Sequence, residues 1–497
     1  MALAKVMGIE TEYGISSSDR HADPVVTSTL LVNAYAQALE HHIAWDFEDE
    51  SPHRDARGVM RSSSRAPMVE RHLANTVLTN GARFYVDHAH PEYSSPECRS
   101  PLEAVLYDVA GELIVRDAME KAQSLYPDAP EIVVYKNNSD AKGQSYGCHE
   151  NYLLDRSIPF DAVANAVIPH FVTRQIYCGA GKVGQELIDA ISLDRYQISQ
   201  RAEFFEAVIG LETTIKRPIV NTRDEPHADS SRFRRLHVII GDANCSHVAT
   251  FLKLSTTALI LAMLEDRALP ESIGQPLDPV HAVHVISQDP SLHATIATDQ
   301  GDMTALEIQY QYLEAAEHYL EGADPSFLGG QNQATMALCR WREALEGLEA
   351  DPESMATTID WIAKRRLLRG FAERHHLAPT NPKLQVIDLQ YHDLRPERSL
   401  ALRAGLEQLI DPVAAAIATT QPPEETRAWF RGTALSRFPE SVVTANWDSV
   451  VFDVGEDPLR RVPMMDPLRG GKAATEDIFA KASSAKHLIA LLAQEKG

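Results

Sequence analysis

The chain predicts an α+β fold, a mainly antiparallel sheet with helices segregated beside it. Short stretches that alternate apolar and polar residues lie in the N-terminal part, as in residues 6–14 and 82–87. Long stretches with helical apolar spacing run elsewhere, over residues 102–125, 247–264 and most of 304–417. A double proline, Pro422-Pro423, then cannot continue a helix and marks a boundary.

In chain order, residues 6–14 read as a strand entering a polar turn, and residues 30–43 have helical spacing. Residues 45–74 are charged, contain Ser and Pro, and show no sustained period. They read as a long insertion loop, and long loops in compact domains are usually functional or disordered. Residues 82–87 put Phe84 and Val86 on one face of a strand and Arg83, Tyr85 and Asp87 on the other. A helix follows Pro101, then a short buried-type strand at 132–135 and a helical stretch over 162–177. Another strand is expected at 236–240, and Thr304-Ala305-Leu306-Glu307 reads as a capping box. The domains expected are 1–421, with the insertion at about 45–74, and a small C-terminal domain, 422–497.

The chain has 497 residues, 44% hydrophobic and 24% charged, the balance of a soluble globular enzyme. No apolar run approaches the ~20 residues that span a bilayer, and the N-terminus has no signal-peptide pattern. Its five cysteines are scattered without a CxxC pair, so a reducing cytoplasm is expected and a disulfide framework is not. A net charge of −23 argues against a nucleic-acid footprint. One local exception holds Lys216, Arg217, Arg223, Arg232, Arg234 and Arg235, either a solvated surface or an anion-handling wall.

Two pattern matches mislead. Gly179-Ala180-Gly181-Lys182-Val183-Gly184 fits GxGxxG but follows a helical stretch where a dinucleotide fingerprint needs a strand. Gly143-Gln144-Ser145-Tyr146-Gly147 fits GxSxG but follows polar loop sequence where a nucleophile elbow needs an apolar strand.

Other residues carry chemistry. Glu10 and Glu12, two apart on a strand, point to one face. A carboxylate pair of this kind suits a hard cation such as Mg²⁺, which takes oxygen ligands and keeps water or phosphate for the rest. Gly8 and Gly14 flank the pair and permit close approach. Asp87 ends a second acidic strand and could serve as nucleophile or base. His149 is a metal-ligand type, in Gly147-Cys148-His149-Glu150-Asn151, and His237 lies in an Arg-Leu-His strand before Gly241-Asp242-Ala243-Asn244.

This order of motifs resembles glutamine synthetase, a carboxylate–amine ligase fold. Longer stretches resemble one branch of that superfamily, the Pup ligase and Pup deamidase/depupylase family. They are Gly8-Ile9-Glu10-Thr11-Glu12-Tyr13-Gly14, residues 83–97, Lys136-Asn137-Asn138-Ser139-Asp140, residues 145–152, residues 221–229, Gln421-Pro422-Pro423 with Thr426-Arg427-Ala428, and Asp466-Pro467. The run His88-Ala89-His90-Pro91-Glu92-Tyr93 and the insert at 45–58 look like the deamidase/depupylase side. Residues 59–70 look abbreviated for that side, which bears on nucleotide turnover and leaves the fold expectation intact.

The resemblance implies an ATP- and Mg²⁺-dependent hydrolase acting on Pup, a small ubiquitin-like protein, and on pupylated proteins. The ligase activity of the same family is the alternative, and a non-catalytic Pup- or nucleotide-binding regulator a further one. It implies Asp87 as the catalytic residue and Glu10, Tyr85 and Glu92 at magnesium positions. Glu12, His149 and His237 join them by the glutamine-synthetase analogy. Arg83, Ser95, Trp447 and Arg427 fall at nucleotide positions. Arg217, Arg223 and Arg235 are candidates for binding the acidic substrate. No membrane partner is expected, and the link to the bacterial proteasome system is indirect.

Overall fold

The structure is a computed structural model and describes residues 1–494 except 20, 40, 49, 51–53 and 58–73. The shortened stretch 59–70 thus lies outside the described residues. The N-terminal strands are β1 (Met7–Glu12), β2 (Gly14–Ser17), β3 (Ala44–Trp45), β4 (Asn75–Val77), β5 (Arg83–Asp87) and β6 (His90–Ser94). Then come β7 (Ile132–Tyr135), β8 (Cys148–Asp155), β9 (Phe205–Gly210), β10 (Arg217–Asn221) and β11 (Phe233–Val238). The last are β12 (Thr295–Thr298), β13 (Gly301–Thr304), β14 (Val442–Ala445), β15 (Ser449–Phe452) and β16 (Arg460–Pro463).

A six-stranded antiparallel sheet, ordered β11–β8–β1–β6–β5–β4, is the platform of the molecule. Alternation in the sequence decides its two faces. In β1, Met7, Ile9 and Thr11 are buried, while Gly8, Glu10 and Glu12 lie on the more open face. In β8, Cys148, Glu150, Tyr152 and Leu154 go inward, leaving His149 and Asn151 on the same side as Glu10. The inward face rests on the helices Pro101–Leu125, Phe160–Thr173 and His247–Glu265, which share one apolar core with Met7, Ile9, Leu154 and Leu236. That core contains a charge pair: Arg174 donates to Glu150 at 2.6 Å, and neither side chain is more than 2% exposed. Burial would be costly for either ion alone.

Helix His247–Glu265 is long and apolar enough to cross a membrane, but 94% of its apolar window is buried inside the protein. It is a core helix, capped by Ser246, whose Oγ accepts from the Ala249 N–H at 3.1 Å. All five cysteines are unpaired. The capping box at Thr304 is present, with Glu307 returning to the Thr304 N–H at 2.7 Å.

Three boundaries differ from the sequence expectation. The first helix runs over Pro24–Gln37, not 30–43, because Asp23 accepts from the Val25 and Val26 N–H groups and Pro24 starts the first turn. The strand expected at 236–240 is Phe233–Val238, since pairing with β8 begins at Phe233 opposite Asp155. The stretch 6–14 holds one strand and the start of another, with Tyr13 between β1 and β2.

Residues beyond Pro422 form a four-stranded sheet only with help from far upstream. Its order is β16–β15–β14–β3, and β3 joins parallel to β14 with Ala44 opposite Thr444. Ile43, Trp45 and Val77 pack in the same apolar cluster as Phe430, Val450, Phe452 and Phe479.

Candidate functional site

Register on the platform brings the acidic and histidine residues together. Glu10 of β1 lies opposite His149 of β8 on one side and Ser94 of β6 on the other. Glu12 lies opposite Glu92, and Glu92 opposite Tyr85. Asp87 ends β5 opposite His90, and His237 of β11 lies opposite Asn151. Two groups of potential metal ligands result, Glu10–His149–His237 and Glu12–Asp87–Glu92. Within each, the ligand atoms lie within 4.8 Å of one another.

The turn from β5 to β6 sets Asp87. His88 takes a left-handed conformation, φ 51°, which a tight hairpin turn demands and a non-glycine residue adopts at a cost. Its Nδ1 donates to Asp87 Oδ2 at 2.8 Å. Burial alone would raise the Asp87 carboxyl, but His88 and the nearby His149 and Arg83 hold it below the usual range. Asp87 is therefore a carboxylate at neutral pH.

The other carboxylates divide. Burial would raise Glu10, but the His149 hydrogen bond and Arg235 outweigh it and hold Glu10 well below the usual range. Glu92 goes the other way: burial, then Asp87, Glu12 and Glu10, push it well above. Burial and Glu92 likewise raise the Tyr85 phenol, so it stays protonated.

These residues fit a divalent cation on structural grounds. His237, grouped with Glu10 and His149, has its Nε2 buried without a hydrogen-bond partner. Oxygen and imidazole donors are those that Mg²⁺ and Mn²⁺ accept. Gly147 matters sterically: a Cβ there would stand 2.8 Å from Glu12 Oε1 and closer still to His149 Nε2, filling the space between the two groups. Gly14 has a similar task, since a Cβ there would meet the Tyr146 hydroxyl at 2.5 Å.

A cleft opens beside Glu10. Its walls include Gly8, Ser95, Asn151, Arg235, Arg427 and Trp447. Ser95 Oγ accepts from the Ile9 N–H at 2.9 Å, pinning this wall to β1. The Trp447 ring packs edge-on against Trp45 at 5.0 Å, and the Arg83 guanidinium lies 4.2 Å over Trp45 and 3.8 Å over Tyr85. Arg427 is 3% exposed and braces the wall, donating to Glu97 at 2.6 Å and to the His227 and Met464 carbonyls. Arg431 donates to the same Glu97 and to the Trp447 carbonyl. Of the nucleotide candidates, Ser95, Trp447 and Arg427 line the cleft, while Arg83 does not and lies over the Trp45 ring.

The basic stretch 216–235 does not form one surface. Arg232 pairs with Asp466 at the exterior, Arg234 turns to the opposite side of β11 over Phe160, and Lys216 is exposed. Period-two alternation explains the split between Arg234 and Arg235. Arg217, Arg223 and Arg235 sit toward the site. Arg235 is 3.7 Å from Glu10, and Arg217 donates to the Ser145 carbonyl at 2.7 Å. Arg223 flanks His227, His237 and Arg235 electrostatically.

Sequence reasoning missed Arg201, which is 1% exposed and acts on Glu12 electrostatically. Burial and the adjacent Arg217 bring it down to about 10. It also missed Asn151, although its place two residues after His149 was a usable signal. Ser145 Oγ receives Arg201 Nε at 3.2 Å, a guanidinium where a hydrolase serine needs a base. The glycine run 179–184 follows helices, and Gly181 and Gly184 take positive φ in turns.

Comparison with known proteins adds the family. The profile of the family described as Pup-ligase protein matches residues 5–451. A depupylase of Acidothermus cellulolyticus is 47% identical over 98% of this chain and 99% of its own length. A Pup deamidase/depupylase of Mycolicibacterium smegmatis is 45% identical over 98% and 99%. A Pup–protein ligase of Acidimicrobium ferrooxidans is 38% identical over 93% and 95%. Among solved structures, the complex between Pup and its ligase PafA superposes with a TM-score of 0.79 at 32% identity, covering 97% of this chain and 93% of that one. The ligase PafA in complex with ADP gives 0.73 at 32% identity, covering 88% and 99%.

Proposed function

The chain belongs to the Pup-ligase family, and from that premise we propose that it is an ATP- and Mg²⁺-dependent amide hydrolase acting on Pup. It deamidates a C-terminal Gln of Pup to Glu and cleaves the isopeptide bond between Pup and the lysines of pupylated proteins. Identity of 47% to a depupylase against 38% to a ligase supports the hydrolase branch. The ADP complex of a relative supports a nucleotide in the cleft beside Glu10. The compartment this reading implies is the cytoplasm, in keeping with five unpaired cysteines.

The observation that carries the reading is Asp87, an ionised carboxylate at a strand end within the acidic cluster with Glu12 and Glu92, on the sheet that also carries Glu10 of the candidate nucleotide cleft. Glu10, His149 and His237 would hold one cation, and Glu12 and Glu92, with Tyr85 beside them, a second. Bound Mg²⁺ would neutralise phosphate charge and polarise oxygen. Asp87 attacks the amide carbonyl carbon, or aligns water or phosphate for the same attack. Water finally supplies the oxygen that replaces nitrogen on that carbon, and ammonia or the lysine amine leaves carrying a proton. Arg201 and Arg217 act electrostatically on Glu12, and cations so placed stabilise negative charge that builds beside them. Arg223 and Arg235 extend this cationic wall toward an acidic substrate. Trp447, Ser95 and Arg427 shape the nucleotide end, and Arg83 steadies the Trp45 behind it.

The test supplies Gln-ended Pup and a pupylated protein with ATP and Mg²⁺. Release of ammonia and of free target protein is expected. Net conjugation of Glu-ended Pup to lysine, with neither release, would sink the hydrolase in favour of the ligase.

A further inference from the structure

Asn151 touches three members of the site. Its Oδ1 receives Arg235 Nη1 at 2.8 Å, its Nδ2 donates to Glu10 Oε1 at 2.8 Å, and the same Oδ1 lies 3.0 Å from His237 Nδ1. The first two contacts settle which way the amide points. A guanidinium can only donate and a carboxylate can only accept, so the oxygen faces Arg235 and the nitrogen faces Glu10. Each contact alone gives this orientation, and they agree.

The third contact then follows. An amide oxygen cannot donate, so His237 Nδ1 must carry the proton. In the neutral ring, Nε2 is left with its lone pair. That nitrogen is the buried one without a hydrogen-bond partner, on a ring grouped with Glu10 and His149. Arg235 is in turn fixed from outside the sheet, donating through Nε to the Glu225 carbonyl at 2.7 Å.

We infer that Asn151 is the positioning residue of this cluster, converting the fixed direction of Arg235 into one tautomer of His237 and one orientation of the Glu10 carboxylate. It does so with both ends of its amide engaged, so Asn151 holds the ligands without being one. A ligand histidine whose other nitrogen donates to a fixed oxygen is how metal sites keep an imidazole aimed. The inference rests on the cation reading of Glu10, His149 and His237 given above, but its first readout needs no metal.

The experiment uses the full-length protein with ¹⁵N-labelled histidine, the His237 resonances being assigned by comparison with His237→Gln. In metal-free wild type, imidazole ¹⁵N shifts should show Nδ1 protonated and Nε2 bare. Asn151→Ala should lose this single form. Asn151→Asp, which keeps an oxygen toward Arg235 and His237, should retain it, an outcome a purely structural role would not produce. Mn²⁺ affinity by electron paramagnetic resonance without nucleotide should fall roughly 10–100-fold in Asn151→Ala. A proton on Nε2 in the wild type overturns the inference, as does an Asn151→Ala protein with unchanged tautomer and unchanged Mn²⁺ affinity. The expected tautomer in a wild type that binds no Mn²⁺ would sink the cation reading and leave the role of Asn151 in aiming the ring supported.

Discussion

Two regions of one wall handle buried carboxylates in opposite ways. Glu97, just past the end of β6, meets two guanidiniums: Arg427 and Arg431 hold it at about 2 against a burial effect that would raise it. A few residues away, Glu92 meets Asp87, Glu12 and Glu10 and is driven upward. The first carboxylate is answered within the chain and serves architecture. The second, on the function proposed above, awaits positive charge from outside and serves chemistry. Such a contrast separates structural from functional acids without reference to relatives.

The hardest test of this division is Asp87→Asn. Turnover should fall by roughly three orders of magnitude or more, while nucleotide binding by calorimetry is retained. Binding retained with full turnover would assign Asp87 to the architectural class. Next is Glu97→Gln, which leaves two buried guanidiniums short of their partner. A loss of about 3 kcal/mol in urea unfolding is expected at neutral pH. Because Glu97 is depressed in the folded state, its contribution is present above the ordinary carboxylate range and disappears as pH falls through about 2.

Gly147→Ala should act on the site and spare the fold, since its Cβ would intrude on Glu12 and His149. Mn²⁺ affinity is expected to drop roughly 10–100-fold with little change in Tm. The gentlest effect belongs to Glu92→Gln in the metal-free protein. A carboxyl raised on folding contributes stability while protonated and loses it as pH rises from its unfolded value toward its folded one. The stability of wild type minus variant should thus decline by up to about 1.4 kcal/mol per pH unit above the ordinary carboxylate range. Saturating Mg²⁺ should remove the decline. A flat difference would mean that Glu92 is not crowded by its neighbours.

Much of the platform was readable because strands have a period of two. That rule alone put Glu10 with Glu12, and Arg83 with Tyr85 and Asp87, on shared faces. It could not say which strands lie side by side, so the meeting of Glu12 with Glu92, or Glu10 with His149, needed the register. The arginine stretch, which the sequence leaves open between a solvated surface and an anion-handling wall, is divided, because alternation sends Arg234 and Arg235 to opposite faces of β11. Arg201 gave no periodic cue, standing just before a short 3₁₀ turn, Ala202–Phe204. The role of Gly147 is steric, visible only when the neighbours that exclude a Cβ are in place.

The pairing of β3 with β14 joins residues about 400 positions apart. Trp45 can meet Trp447 only after the roughly 400 residues between them have left the ribosome. A nascent chain would carry its acidic platform early, yet lack the wall that closes the cleft beside it. The wall beside Glu10 is therefore completed long after the strands it faces, and a chain cut short before Trp447 would present those carboxylates without it.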